Sequence, residues 1–188
     1  MAGDIKIWDA NGDGEINSLD RIRQDLTDIP QIVYGVNLGI TWKQFDLSLL
    51  FQGEAKVINT IQETWVDPSS GGAGNLMQWW TEDMWTPENT DGTKPRLGTP
   101  NKINGTTFTN INAAFFKLKN AEIGYTLPVA VREKIGVANA RVYLSGTNLF
   151  SFDHMRGMGI DPEATGSGYG GWALNPQRLI NLGVNVSF

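Results

Sequence analysis

Leu179-Ile-Asn-Leu-Gly-Val-Asn-Val-Ser-Phe188 is the stretch whose reading decides the fold. From Ile180 onward every second residue is apolar: Ile180, Leu182, Val184, Val186 and Phe188. Between them stand Asn181, Gly183, Asn185 and Ser187. A β-strand sends successive side chains to opposite faces, so this segment has one wholly apolar face and one small, polar face. The apolar face must be buried against a second layer or wetted by something other than water.

The rest of the chain repeats the pattern, and five strands are predicted from it. Ile32 to Trp42 sets Tyr34, Val36, Leu38, Ile40 and Trp42 against Gly35, Asn37, Gly39 and Thr41. Phe45 to Phe51 sets Phe45, Leu47, Leu49 and Phe51 against Asp46 and Ser48, and only Lys43-Gln44 intervenes, the length of a two-residue hairpin. Ala114 to Leu127 changes parity midway: Phe116 and Leu118 are apolar on even numbers, then Ala121, Ile123, Tyr125 and Leu127 on odd ones. One extra residue near Lys119-Asn120 restores the phase, which predicts a β-bulge there. Ala140 to Phe152 alternates least cleanly, because Asn148 breaks the face begun by Val142 and Leu144. The terminal strand, within 177–188, is the fifth.

The connections alternate short and long around these strands, as in a bacterial outer-membrane β-barrel with tight periplasmic turns and long outer loops. With Phe188 on the periplasmic side, Trp42, Phe45, Tyr125 and Phe188 gather at one membrane boundary, and Tyr34, Phe51 and Phe116 mark the other. The expected fold class is therefore all-β: an antiparallel segment of about five strands from a transmembrane β-barrel, with long extracellular loops and a calcium-loop-like N-terminal turn. Residues 53–113 form the longest loop, with a short helix expected from Asn75 to Met84. Its Trp65, Trp79, Trp80 and Trp85 are candidate contacts for substrate or a lid; the plainer reading, which is the one favoured, packs them into a small core of the loop's own.

Composition narrows the alternatives. A net charge of −5 without a basic cluster argues against nucleic-acid binding, and no cysteine is present for disulfides or thiolate chemistry. No apolar run is long enough for a transmembrane helix, a test that barrel strands escape. The segment after Met1 lacks a charged n-region and an apolar h-region, so an exported protein of this kind is expected to be the carboxy-terminal piece of something longer.

One motif carries metal chemistry. Asp9-Ala-Asn-Gly-Asp-Gly-Glu-Ile-Asn-Ser-Leu-Asp20 fits the twelve-residue calcium loop. Asp9, Asn11 and Asp13 supply side-chain oxygens, Gly14 permits the sharp turn, and Glu15 offers its carbonyl. Asn17 serves directly or through water, and Asp20 closes the shell where a glutamate is usual. The oxygen-only set with three carboxylates predicts Ca2+ in a structural role. Catalysis finds no such support. His154 is the only histidine, the glycine-rich run 166–171 lacks a P-loop lysine, and Asp161 with Glu163 flank Pro162 in a loop. No enzyme is expected.

Taken in order, GDIKIWDANGDGEINSLDR (Gly3–Arg21), YGVNLGITWKQFDLSLLFQG within Pro30–Gly53, WTPENTDGTKPR (Trp85–Arg96), FFKLKNAEIGYTLP (Phe115–Pro128), RVYLSGTNLFSF (Arg141–Phe152), DPE (Asp161–Glu163) and the phenylalanine-ended strand resemble the carboxy-terminal part of the SusC/RagA family of TonB-linked outer-membrane transporters. The resemblance implies a plugged barrel of about 22 strands in the bacterial outer membrane, importing oligosaccharides or peptides. It implies a SusD-like surface lipoprotein as lid, and TonB acting through N-terminal parts absent from this chain. It further implies Phe188 as the signal read by the barrel assembly machinery. Five strands cannot close such a barrel alone, since the smallest need about eight. The alternative reading is a soluble extracellular calcium-binding β module for carbohydrate or protein interaction.

Overall fold

A computed structural model describes residues 1–61, 76–98, 106–163 and 175–188. These fall into two compact units: Gln31–Ala55, Ala114–His154 and Asn175–Phe188 form one, and Met1–Pro30, Lys56–Ala113 and Met155–Leu174 the other.

The first unit is a five-stranded antiparallel sheet. Its strands are β1 (Ile32–Trp42), β2 (Phe45–Ala55), β5 (Phe115–Thr126), β6 (Asn139–Asp153) and β7 (Leu179–Ser187), hydrogen-bonded in the order β1-β2-β5-β6-β7. The β1–β2 hairpin closes over Lys43-Gln44, and Lys43 takes the left-handed φ of 54° that so tight a turn needs. Register places the apolar residues of all five strands on one face. Leu38 lies opposite Leu49, Leu47 opposite Ile123, Ile123 opposite Leu144, and Leu144 opposite Leu182.

The predicted bulge is present. Pairing on both sides of β5 steps from Leu118 to Asn120, leaving Lys119 outside the ladder. The irregularity of β6 has the same origin: opposite Leu118–Asn120 its register jumps from Phe150 to Thr147, and Asn148 is left-handed at φ 51°. The freed Leu149 folds its side chain to where a Cβ on Gly146 would stand. The Asn148 amide donates to the Gln177 carbonyl at 3.1 Å. A polar residue on the apolar parity is thus carried out of the stripe by the backbone.

Between β5 and β6 the chain makes α2 (Val129–Ile135), a helix the alternation did not foretell. Pro128 fixes the entry, and Gly136 at φ 71° ends it in the left-handed conformation. The helix is one of the few breaks in strand structure within the first unit.

In the second unit, β3 (Ile58–Thr60) pairs with β4 (Asn110–Asn112). Val57, Ile61, Trp80, Ala113, Met155 and Ile160 form its buried core. The helix α1 covers only Gln78–Thr81 of the expected Asn75–Met84; Asn75 lies outside the described residues. Met77 is extended, and after Thr81 the chain is drawn out of helix by pairing with residues 93–94. The Lys94 amide donates to the Asp83 carbonyl at 2.9 Å and the Trp85 amide to the Lys94 carbonyl at 2.8 Å.

Candidate functional site

The apolar stripe of the sheet is not covered by a second layer. Ile40 is 60 % exposed, Ile180 67 % and Leu182 76 %, and even Ile123 and Leu144 on interior strands remain about half exposed, at 47 % and 48 %. A soluble sandwich would bury these side chains. Aromatics close the stripe at both ends. At one end Phe45 and Tyr125 rings lie 4.7 Å apart, next to Trp42, whose ring has the Lys43 ammonium 4.8 Å from its centroid. At the other, Phe51 stacks on Phe116 at 5.2 Å, and Tyr34 lies 6.2 Å from Phe116. The Tyr34 hydroxyl donates to the Phe115 carbonyl at 3.0 Å. Phe188, 95 % exposed, follows β7 at the Trp42 end.

The reverse face is polar and internally paired. Arg141 on β6 reaches across Gly124 on β5, donating from Nε to Asp46 on β2 at 3.0 Å and from a terminal nitrogen to Glu122 at 2.7 Å. A second bond joins the same guanidinium to Asp46. Tyr143 lies beneath this arginine, 5.1 Å from it, with its ring spread across Gly183 of β7. Any side chain at Gly124 or Gly183 would collide with these groups, so glycine here is a matter of space. Alternation alone put Asp46 on this face. The Arg141 cluster was missed because its members lie on three strands, and only cross-strand register brings them together.

In the second unit the Asp9–Asp20 segment closes on itself. Asp9 accepts from the amides of Gly12 and Gly14 at 2.7 and 2.8 Å, Asn11 from Asp13 at 2.9 Å, and Asp13 from Glu15 at 2.8 Å. Asp20 accepts from Ala10 at 2.9 Å and Asn17 at 2.7 Å, and Asn17 caps the turn by accepting from Leu19 at 2.8 Å. Gly12 and Gly14 are left-handed, at φ 77° and 85°. The Asn17 amide, then those of Ala10 and Asn11 and the Asp9 side chain, hold the Asp20 carboxyl below the usual aspartate range. Among the described residues no three His, Cys, Asp or Glu side chains stand together as a metal cluster. As folded, the carboxylates turn toward amides of their own loop.

The four tryptophans part company. Trp65 lies outside the described residues. Trp80 is 3 % exposed in the core, edge-to-face with Trp79 at 5.6 Å and with Phe108 at 5.7 Å. Trp79 is half-buried, and its indole N–H meets no acceptor among the described residues. Trp85, also half-buried, lines a groove with Ile5, Lys6, Lys94, Pro95 and Phe108. Beyond β6, the Asp161 carboxylate accepts from the Glu163 amide at 2.8 Å.

No protein-family profile matches the chain. Two receptors of Formosa agariphila do: TonB-dependent receptor P26, 30 % identical across the whole chain, and TonB-dependent receptor P3, 31 % identical across 96 % of it. Among solved structures, the RagAB peptide importer matches in its 'open-open' state with TM-score 0.71 and 27 % identity over 93 % of this chain. In its 'closed-closed' state the TM-score is 0.73, with 26 % identity over 93 %. In sequence and in fold alike the chain matches TonB-dependent receptors of the SusC/RagA kind. It spans 20 % of the length of P26, 18 % of P3 and 19 % of the matched RagAB chain. Its five-stranded sheet is accordingly barrel wall, a wall that is apolar on one side and polar on the other. Its relatives are receptors and transporters rather than enzymes.

Proposed function

We propose that this chain is one stretch of the wall of a larger outer-membrane barrel that imports oligosaccharides or peptides. Strands β1, β2, β5, β6 and β7 turn their apolar stripe to the acyl chains and the Arg141–Asp46–Glu122 face to the hydrated interior. The loops of the second unit face outward, toward substrate and a SusD-like lipoprotein lid. Energy enters from TonB through parts of the receptor outside this chain, and Phe188 serves as the signal for the assembly machinery. The observation that carries this reading is the uncovered stripe across all five strands, bounded at both ends by aromatics.

This stretch has no cysteine, so a single cysteine placed in it adds one reporter at a known position, read against the parent receptor. In native outer membranes, Cys at Ile40, Leu144 or Leu182 should resist a water-soluble maleimide while reacting with a membrane-permeant one. Labelling at those positions by the water-soluble reagent, as readily as in a denatured control, would sink the proposal.

The Asp9–Asp20 loop is proposed as a structural Ca2+ clip. What supports it is an oxygen-only set held on a pre-formed turn with both glycines already left-handed. Asp9, Asn11, Asp13 and Asp20 would hold the ion with the Glu15 carbonyl, and Asn17 directly or through water. Calorimetry should detect binding that Asp9→Ala with Asp13→Ala abolishes. Absence of heat in the intact protein rules it out.

A further inference from the structure

Two stretches that the wall does not use, GDIK (Gly3–Lys6) and the Gly92–Arg96 turn, are locked together in the second unit. The Arg96 amide donates to the Gly3 carbonyl at 2.8 Å, and its guanidinium pairs with Asp4 at 2.7 Å. Gly3 is left-handed at φ 80° and lies so close to the Trp85 ring that a Cβ would come within 2.5 Å of it. A Cβ on Gly92 would likewise come within 2.7 Å of the Met84 backbone. Beside these close approaches lies an open groove of about 320 Å³, lined by Ile5, Trp85, Pro95 and Phe108 with Lys6, Lys94 and Asp4. That volume is at the small end of the range for ligand sites.

The charges in the groove are unbalanced. The Lys94 ammonium is 5.5 Å from the Trp80 ring centroid and 6.0 Å from that of Phe108. Neither Lys94 nor Lys6 has an ion-pair partner among the described residues. Asp83, which feels the Lys94 charge, directs both carboxyl oxygens to Thr93. Asp4 is committed to Arg96. The site therefore combines aromatic and apolar walls with Lys94, held over two rings, and Lys6, neither of them in an ion pair among the described residues, beside an Asp4 carboxylate that Arg96 neutralises.

We propose that this groove binds an anionic saccharide unit, a pyranose bearing a carboxylate or sulfate. The C–H face of the ring packs on the apolar wall, and the anion meets Lys94 and Lys6. A peptide fits less well. A bound strand needs backbone partners, but the amides of Trp85, Gly92, Thr93, Lys94 and Arg96 already donate within the unit.

The inference deepens the importer reading and rests on it, yet the two fail separately. Maleimide labelling tests the wall, and binding tests the groove. In the detergent-extracted protein, calorimetry with trigalacturonate should give saturable binding that weakens with added salt. Lys94→Gln and Lys6→Gln should each weaken it at least tenfold, while Lys94→Arg keeps most of it. Lys43→Gln, in the β1–β2 turn of the sheet unit, should change nothing. Near-UV circular dichroism identical to the parent's shows that the variants are folded. Equal affinity for neutral maltotriose, tighter binding of an Asp/Glu tripeptide, no saturable heat at millimolar sugar, or indifference to both lysine substitutions would overturn the proposal.

Discussion

Leu38 offers the sharpest test of what wets the stripe. It sits midway along β1 between Tyr34 and Trp42, about 13 Å from each at the rise of an extended strand. In the isolated chain it is 47 % exposed. If water bathed that face, Leu38→Arg would cost under about 1 kcal/mol, because the arginine stem covers much of the same surface and the head group is solvated. At a bilayer midplane the same change costs about 2–4 kcal/mol, roughly 30- to 700-fold in the folded population. Asn37→Arg is the internal control: it is the adjacent residue on the opposite face and should stay within about 0.5 kcal/mol. Urea unfolding of the membrane-extracted protein, reconstituted in phosphatidylcholine vesicles and followed by tryptophan fluorescence, reads the difference as a shift in midpoint at constant slope. Equal midpoints for the two variants, or a larger loss from Asn37→Arg, would refute the assignment of faces.

Other positions make narrower demands. Gly53→Ala puts a methyl where the Tyr34 ring now lies, 2.3 Å from its nearest atom. The ring must swing off Phe116 and release the Phe115 carbonyl, at a cost of about 1–3 kcal/mol in the same urea assay. Arg141→Met leaves Asp46 and Glu122 facing one another. Because both acids are about one-third exposed, the loss should be only about 1 kcal/mol, recovered in part by Glu122→Gln on the same background. The Asp20 carboxyl has a folded pKa below its unfolded one, so its contribution is intact above about pH 4 and disappears as pH falls through the folded value. Proteolysis of the 9–20 turn should accelerate below that point, and Asp20→Asn should remove the pH dependence.

How much of this was legible beforehand follows from what each pattern encodes. Period-two alternation is local, so β1 was placed to the residue and the Lys119 bulge could be read from a parity break. The Asn148 irregularity was visible but not interpretable. Its resolution needed a left-handed residue and a partner strand with its own bulge. The helix α2 was hidden because its seven residues are too few to show a helical period, although Pro128 and Gly136 bracket it. The candidate sites divide along the same line. The calcium-like turn is contiguous and was readable as a motif. The Arg141 cluster and the Trp85 groove are assembled from distant segments, Lys6 with Lys94 and Asp46 with Arg141. Nothing in a linear spacing announces such meetings.

The pairing irregularities of β5 and β6 fall at one level, at Lys119 and at Asn148, opposite the unbroken Leu50–Phe51 step of β2. They form a crease across two neighbouring strands, and the ladders on either side of it are phased by that one line. Loss of the single codon for Lys119 would therefore iron the crease out of β5 without turning either half over: Leu118 would be followed by Asn120, and Phe116, Leu118, Ala121 and Ile123 would keep one face. The damage would fall on β6, whose Asn148 and Leu149 would stand outside the ladder with no bulge across from them.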